Sequence, residues 1–385
     1  MNIQAPIPPA EPMDYPGVEG LSINQDALPG SQPLERPEPI IKVDNLEYFL
    51  WDIPDLDKQQ EFLEDFGLKL AERSEDVLYM RSFGPSPYAY IARKAKKAAF
   101  IGTGFSVTSR GDLETLARQT ECKIESLDRP GGGEVVRLVD PMGFVVEVVH
   151  GIETVAELAT RREPLPVNYP NSKTRINREQ RPAYEPAAIL NAGHVVLSTH
   201  SLQDTATWYM RHIGLIPTDV ACATDGSVGL AFMRLDRGEQ PADHHSLVLL
   251  QGGGELYLHS AFEVFDLDSI GQGQQYMLAK RHKHFWGIGR HILGSQLFDY
   301  WLDPNGYELE HYADGDMYTA DRPTNYHPMD PGNIYAWGHD MPKAVVNPGF
   351  KQVLSVLRGV IRKQISPAWL GMAKRIMSRP ARPWL

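Results

Sequence analysis

The sequence is poor in cysteine, in basic charge and in long apolar runs. Its 385 residues include only Cys122 and Cys222, so neither a disulfide framework nor a thiolate metal site is available. A formal net charge of −11 argues against a nucleic-acid partner, which requires clustered Lys and Arg. No apolar run approaches a membrane span, and the N-terminus lacks the regions of a secretory signal. These absences predict a cytoplasmic protein without a membrane or nucleic-acid partner.

What is present is the composition of a folded protein with more than one domain. The hydrophobic fraction is 42%, and the length suggests two or three domains. Residues 1–40 differ, because they are rich in Pro and acidic residues and contain few aliphatic ones. Such a segment cannot bury enough surface to offset its chain entropy. We therefore expect an extended arm.

The hydrophobic pattern after residue 43 repeats itself. Strand, helix and three strands follow one another roughly twice up to residue 149, with a first helix at 56–66. The same order returns with a strand at 191–199 and includes a helix at 267–283. The helix ends repeat as well, with Glu-Asp-Phe-Gly-Leu at 64–68 and Arg-His-Ile-Gly-Leu at 211–215. So do the tight turns, with Asp-Pro-Met-Gly at 140–143 and Asp-Pro-Asn-Gly at 303–306. Two matching landmarks in one order indicate an internal duplication. The predicted fold is α+β, with paired βαβββ modules forming two open, barrel-like domains.

The predicted divisions follow these patterns. They are an arm (1–40), a first domain (41–151), a partly helical linker (152–188), a second domain (189–316) and a C-terminal segment (317–385). That last segment begins with an irregular aromatic-rich stretch, which we expect to form a lid with Tyr318, Tyr326, Tyr335 and Trp337. It continues with a basic amphipathic helix over 350–363, predicted to pack against the barrel or a subunit contact.

A predicted hairpin around the second turn carries an unusual carboxylate pair. Strands at 296–302 and 307–312 flank the turn, and Glu308 and Glu310 share one face of the second strand. Either this face is simply the solvent side, or it is an apolar face on which a carboxylate needs a metal ion or a basic partner. His194 and His259 lie in equally apolar strands, where a lone histidine is more often structural.

The duplication offers an internal comparison for these residues. Superposing the halves on their helix-ending glycines and hairpin turns pairs Glu47 with His194, Gly102 with His259, and Glu147 with Glu310. Only the second half therefore has two histidines and a carboxylate at these points. Two imidazoles and one carboxylate suit Fe(II) or Mn(II) with open positions, although zinc hydrolases use the same ligand types.

Several short motifs of the second half occur together in one known family. They are Gly-His at 193–194, His-His-Ser-Leu at 244–247, Leu-His-Ser-Ala-Phe-Glu-Val at 258–264, Gly-Arg-His at 289–291, and Tyr300 followed by residues 303–310. With these motifs the sequence resembles the type I extradiol ring-cleaving catechol dioxygenases of the vicinal oxygen chelate superfamily. The resemblance covers about residues 43–315 and is weak in the first half.

This resemblance implies a set of roles. His194, His259 and Glu310 would bind Fe(II), with Mn(II) as the other possible metal. His245 would be the acid/base residue, while His291 and Tyr300 would contact the substrate or oxygen. The partners would be a catechol and dioxygen, and the protein would be a homo-oligomer. Residues 292–294, Ile-Leu-Gly, depart from the polar residues that some relatives carry there.

Two other function classes fit parts of the pattern. A glyoxalase-like or epimerase-like enzyme would use the metal as a Lewis acid, would not need His245 or Tyr300, and would turn over without oxygen. A ligand-sequestering module of the antibiotic-binding kind would need no chemistry at all. The complete triad argues against that module, because such modules usually lack one.

Overall fold

A computed structural model describes most of the chain after the N-terminal arm. The described residues are 33–181, 183–223, 225–252, 257–329 and 334–342, together with 356, 357, 360, 361, 370, 371 and 374. The predicted arm therefore lies mostly outside the described residues, and so does most of the predicted C-terminal helix. Within that helix, residues 356, 357, 360 and 361 are helical.

The first half forms an open eight-stranded sheet with two helices. Its elements are β1 (Asn45–Ile53), α1 (Leu56–Phe66), β2 (Lys69–Arg73), β3 (Val77–Arg81), β4 (Tyr90–Lys94), β5 (Ala99–Ser106), α2 (Arg110–Thr120), β6 (Ile124–Ser126), β7 (Glu134–Val139) and β8 (Val145–His150). The strand order is β2-β3-β4-β1-β5-β8-β7-β6. Strands β1 and β5 are central, so the two βαβββ modules join edge to edge at them.

The second half repeats this plan and adds strands. Its elements are β9 (Asn191–Thr199), α3 (Leu202–Ile213), β10 (Ile216–Cys222), β11 (Val228–Arg234), β12 (Ala242–Asp243), β13 (Leu247–Gln251), β14 (Tyr257–Glu263), α4 (Leu267–Ala279), β15 (Lys283–His291), β16 (Leu297–Leu302), β17 (Glu308–Ala313), β18 (Met317–Tyr318), β19 (Asn325–Pro328) and β20 (Tyr335–Gly338). Ten strands form one sheet in the order β19-β10-β11-β13-β9-β14-β17-β16-β15-β20, while β12 pairs with β18.

These two sheets confirm the predicted α+β class and its paired βαβββ modules. Local chemistry sets the element ends: the Asp55 side chain caps α1 by accepting a hydrogen bond from the Lys58 backbone N–H, and Gly67 ends the helix at φ 118°. Neither sheet closes into a barrel in the part of the chain that the structure describes.

One hydrophobic core joins the two halves. Phe49 of β1 packs edge-on against Phe262 of β14, with ring centroids 5.3 Å apart. The buried His311 ring donates a hydrogen bond of 2.6 Å from Nε2 to the backbone oxygen of Phe66. Burial lowers the pKa of His311 to about 4, so this imidazole is neutral. The second sheet is thus packed directly on helix α1.

The structure differs from the sequence-based expectation in several segments. Strands β2, β6, β10 and β15 were not predicted, and α4 ends at Ala279 although the pattern predicts a helix to 283. Strand β2, Lys-Leu-Ala-Glu-Arg, is an exposed edge and has no clear apolar alternation. No helix occurs in residues 152–181 and 183–188, where a partly helical linker was expected.

The segment after the second hairpin is also more regular than predicted. Strand β19 pairs in parallel with β10, and β20 pairs with β15, so this segment extends the second sheet at both edges. Both strands are only four residues long, which leaves little periodicity to detect. Among the helices that the structure describes, none is long and apolar enough to cross a membrane.

Candidate metal centre

Three adjacent strands of the second sheet bring the predicted triad together. Strands β9, β14 and β17 are neighbours and carry His194, His259 and Glu310 respectively. Ala261 of β14 pairs with both His194 and Glu310, and His259 lies two residues before it on the same face. The order of the strands therefore puts two imidazoles and one carboxylate on one face of the sheet.

The three side chains converge within a buried space. Their candidate ligand atoms all lie within 4.8 Å of one another. Glu310 Oε2 is 3.2 Å from the Nε2 atoms of both His194 and His259. The Glu310 side chain is fully buried, whereas 15% of the His259 side chain is exposed. The group can thus be reached from the side of His259.

The donor set suits a divalent cation. Burial by itself would raise the pKa of Glu310, but hydrogen bonds with His194 and His259 hold that pKa well below its usual range. Its second oxygen, Oε1, is buried, and so is Nδ1 of His194; neither atom has a hydrogen-bond partner among the described residues. An ionised buried carboxylate facing two imidazoles is expensive without further compensating charge. A bound cation supplies that charge, and two nitrogens with one oxygen fit Fe(II), Mn(II) or Zn(II).

His245 lies against this group rather than in an exposed loop. It follows β12, is 4% exposed, and its ring centroid is 4.2 Å from that of His194. The Phe232 ring packs edge-on against it at 5.1 Å. Burial lowers the pKa of His245 well below the ordinary histidine value, with nearby histidines adding to the effect.

His291 and Tyr300 form the opposite wall. The backbone oxygen of Ile334 lies 2.8 Å from His291 Nδ1 and can only accept, so that nitrogen carries the proton. The other nitrogen, Nε2, then accepts a hydrogen bond of 3.0 Å from the Tyr300 hydroxyl. His291 Nε2 is also 4.0 Å from Glu310 Oε1. Trp286 stacks on the Tyr300 ring at 5.5 Å and holds this wall in place.

Sequence reasoning missed a buried group behind His245. His244 Nδ1 is 2.8 Å from His245 Nδ1, and His244 Nε2 is 2.5 Å from Asp219 Oδ2. The other oxygen of Asp219, Oδ1, is 2.7 Å from His327 Nε2. The adjacent His244-His245 pair was the only local signal. Asp219 and His327 come from β10 and β19, which are far apart in sequence and neither of which was predicted.

The other histidines without a predicted role lie outside the triad. Their partners are Asp65 for His282, Asp299 for His284, and backbone oxygens for His212 and His311. The four aromatic residues of the predicted lid are dispersed. Tyr335 packs on Trp286 near His291, Tyr326 accepts a hydrogen bond from the Leu34 backbone at the other edge, and Trp337 is 45% exposed. The lid stays a prediction.

The first half corrects one predicted equivalence. Tyr48, rather than Glu47, occupies the position of His194, because Tyr48 pairs with Gly104 as His194 pairs with Ala261. Each first strand has a register shift at the preceding residue, Glu47 or Gly193. Both halves share this bulge, so the misassignment comes from helix length: α1 has 11 residues and α3 has 12. Superposition on the glycines that end these helices therefore displaces the first strands by one residue.

Relatives of known activity share most of this chain. No protein-family model matches the sequence. Metapyrocatechase 2 from Cupriavidus necator is 29% identical over 336 residues, which cover 83% of this chain and 97% of that protein. An iron-dependent extradiol dioxygenase from Rhodococcus jostii is 24% identical over 319 residues, covering 78% of this chain and 98% of the relative.

Solved structures have the same fold. Homoprotocatechuate 2,3-dioxygenase from Brevibacterium fuscum, in complex with 3,4-dihydroxyphenylacetate, matches with a TM-score of 0.64 and 21% identity, covering 79% of this chain and 92% of that one. The Mn(II)-bound glyoxalase from Novosphingobium aromaticivorans matches with a TM-score of 0.66 and 21% identity, covering 80% and 95%. At this identity the structures establish the fold alone. Over most of its length the chain is therefore similar in sequence to extradiol dioxygenases, and it has the fold of the solved ones.

Proposed function

We propose that this protein is an extradiol ring-cleaving dioxygenase. Its substrate is a catechol-type aromatic diol, its co-substrate is dioxygen, and its product is of the muconic semialdehyde type. The metal is a mononuclear non-haem Fe(II), with Mn(II) as the alternative, and its ligands are His194, His259 and Glu310. The iron-dependent relative supports Fe(II).

One observation carries the proposal. Two imidazole nitrogens and a buried carboxylate oxygen converge within 4.8 Å on one face of the sheet. Three protein ligands on one face leave the opposite coordination positions open, which suits a chelating diol together with dioxygen. Fe(II) bound there supplies Lewis acidity and a path for electrons between the aromatic diol and oxygen.

The chain's own residues handle the protons. A neutral imidazole accepts a proton at its bare nitrogen, so His245 is the group that takes a proton from a catechol hydroxyl and later returns it. On the other wall, His291 Nε2 accepts from Tyr300, which holds that hydroxyl in a fixed position. Burial raises the pKa of Tyr300 well above its ordinary value, so the hydroxyl keeps its proton and can act as a hydrogen-bond donor.

The aromatic wall limits the shape of the substrate. Trp286, Phe298 and Tyr335 pack around His291 and Tyr300, and the His291 ring stacks on Phe298 at 4.2 Å. Such a wall suits a flat apolar ring. In this proposal residues 41–151 serve as a scaffold domain without metal ligands, and residues 189–316 form the catalytic domain. Homo-oligomeric assembly and a cytoplasmic location remain predictions from the sequence.

The test is oxygen uptake by anaerobically purified, Fe(II)-loaded protein supplied with a panel of catechols. We expect uptake in step with a yellow ring-fission product. His259→Ala should abolish both, because it removes one of three ligands. His282→Ala is the matched control, since it removes a histidine that bonds to Asp65 away from the triad.

Absence of uptake with bound iron would contradict the proposal. The glyoxalase-like alternative would then predict anaerobic turnover of a non-aromatic substrate that survives Tyr300→Phe. Loss of oxygen uptake in Tyr300→Phe, with iron content unchanged, would instead support ring cleavage.

A further inference from the structure

A buried hydrogen-bonded chain of three side chains ends at His245. Asp219 lies on β10, next to a register shift between Pro217 and Asp219 that turns its side chain inward. His244 and His245 follow β12, and the His244 backbone N–H donates to the oxygen of Asp316. Asp219 and His245 are each 4% exposed, and His244 is fully buried. Solvent therefore does not compete for these hydrogen bonds.

The chemistry of Asp219 fixes where the first proton sits. Burial by itself would raise the pKa of Asp219, but hydrogen bonds from His244 and His327 hold that pKa far below its usual range. An ionised carboxylate only accepts, so both histidines must donate from Nε2. With its proton on Nε2, the His244 ring can present a lone pair on Nδ1, and the ring then carries no charge.

The lone pair on His244 Nδ1 determines which nitrogen of His245 carries the proton. The two Nδ1 atoms are 2.8 Å apart, which is a hydrogen bond only if one of them carries a proton. Since His244 Nδ1 is the acceptor, His245 Nδ1 is the donor. A neutral His245 then has a bare Nε2. Burial of both rings favours this arrangement, which places no charge on either imidazole.

We propose that Asp219 and His244 are positioning residues that hold His245 with its proton on Nδ1 and leave Nε2 as the nitrogen that receives a proton from substrate. This inference rests on the proposed function, in which His245 is the acid/base residue. His327 holds the other oxygen of Asp219 and joins β19 to the same group. Neither Asp219, His244 nor His327 binds metal or substrate in this scheme.

A purely structural role is the competing explanation. Asp219 ties β19 to β10 through His327, and the loss of that tie would lower stability without altering His245. Phe232 packs on both His244 and His245 at 5.2 and 5.1 Å, so ring packing alone could also hold them. The test must therefore separate packing from the hydrogen bond.

The first measurement compares two substitutions of His244 in the Fe(II)-loaded enzyme. His244→Phe keeps an aromatic ring but removes the Nδ1 acceptor. We expect kcat to fall about 10- to 100-fold, the typical cost of losing a hydrogen-bond partner that orients an active-site histidine. The KM for catechol should change less than about threefold, because binding does not use this bond. His244→Asn places an amide oxygen where Nδ1 was and should recover most of kcat.

His282→Phe is the matched control for the aromatic substitution. It also breaks a histidine–aspartate hydrogen bond, of 2.8 Å to Asp65, but it has no link to His245. We expect unchanged kcat with a lower melting temperature. Equal kcat in His244→Phe and wild type, with iron content equal, would overturn the inference.

The second measurement does not depend on turnover. In Zn(II)-loaded protein with ¹⁵N-labelled histidine, NMR should find a proton on Nδ1 of His245 and a bare Nε2, assigned by comparison with His245→Asn. His244→Phe should abolish that single tautomer. A proton on Nε2 of His245 in the wild type would overturn the inference. The same Nδ1 signal in a protein that cleaves no catechol would support the positioning and refute the proposed function.

Discussion

The two halves of the chain each bury a glutamate at the corresponding place in their sheets and satisfy it differently. Glu147 of β8 pairs across the strands with Gly104, as Glu310 of β17 pairs with Ala261. Around Glu310 the neighbours are imidazoles, and one carboxylate oxygen has no hydrogen-bond partner in the part of the chain that the structure describes. The buried charge of Glu310 is thus not fully compensated by the second half itself.

Around Glu147 every oxygen is used. Arg129 binds it through two nitrogens at 2.6 and 2.9 Å, Arg137 binds it at 2.9 Å, and the Tyr48 hydroxyl donates at 2.7 Å. The side chain is 3% exposed, and these bonds hold its pKa below the usual value although burial would raise it. Arginine cannot release its charge, so this site is already neutralised without a metal.

The comparison shows that the fold buries a carboxylate at the same position in both halves. The neighbouring side chains determine whether that carboxylate forms an ion pair or a metal site. Where the neighbours are arginines, as around Glu147, the carboxylate forms a structural ion pair. Two imidazoles, which carry no permanent charge, make it a site that can take a cation from solution. The predictions below test this distinction, from the largest expected effect to the smallest.

Removing an imidazole should destroy the second site alone. In His259→Ala we expect iron content to fall to background and kcat to fall by at least about 100-fold, more than a lost second-shell partner costs. Iron analysis and oxygen uptake measure this. Retention of stoichiometric iron would contradict the comparison, because His194 and Glu310 alone would then be enough to bind the metal.

Removing the carboxylate of the first half should affect stability and not iron. Glu147→Ala leaves Arg129 and Arg137 without their partner, and we expect the free energy of unfolding to fall by about 3 kcal/mol, as for a broken buried ion pair. Urea titration measures it. Glu125→Ala, which removes an exposed partner of Arg137, is the control and should cost less than about 1 kcal/mol. Loss of iron in Glu147→Ala would break the distinction.

The first half should not accommodate a side chain at Gly102, the position that corresponds to His259. A Cβ atom at Gly102 would lie 1.8 Å from the backbone oxygen of Val145, so Gly102→Ala must displace a strand. We expect a loss of about 1–3 kcal/mol in unfolding free energy, typical of overpacking. Gly271→Ala on α4, where nothing lies within 4 Å, is the control and should be neutral or stabilising. Equal stability of the two variants would contradict the close approach.

The smallest effect is expected for Tyr48→Phe. It removes the hydrogen bond to Glu147 and the one that the hydroxyl accepts from Arg129, but leaves both arginines on Glu147, so about 1 kcal/mol should be lost. Iron content and kcat should match the wild type. The corresponding substitution in the second half, His194→Phe, should abolish iron binding. Similar iron content in these two variants would show that the halves are not divided as proposed.

Much of the architecture follows from local sequence. Helix Leu56–Phe66 and strand Asn191–Thr199 begin and end where the pattern predicts, because caps and turn residues act over a few positions. The candidate ligands His194, His259 and Glu310 were selected by comparing the two repeats, and the structure brings them together. A duplicated chain carries its own control for such a comparison.

Register and long-range pairing were not accessible in this way. Superposition of the halves on the glycines that end α1 and α3 missed the additional residue of α3, and so misassigned the partner of His194 by one position. The chain from Asp219 through His244 to His245 was missed because β10 reads as no distinct pattern and β19 has only four residues. Neither position carries a periodic signal.

The sequence by itself determined the duplicated α+β fold, the two hairpin turns and the residue types available for a metal, since these depend on periodicity and composition. Only the tertiary structure decided which strands are neighbours, which side chain faces Glu147, and that Asp219 lies behind His245. The reason is physical: strand pairing and bulges are set by packing across the whole sheet, which no short stretch of chain encodes.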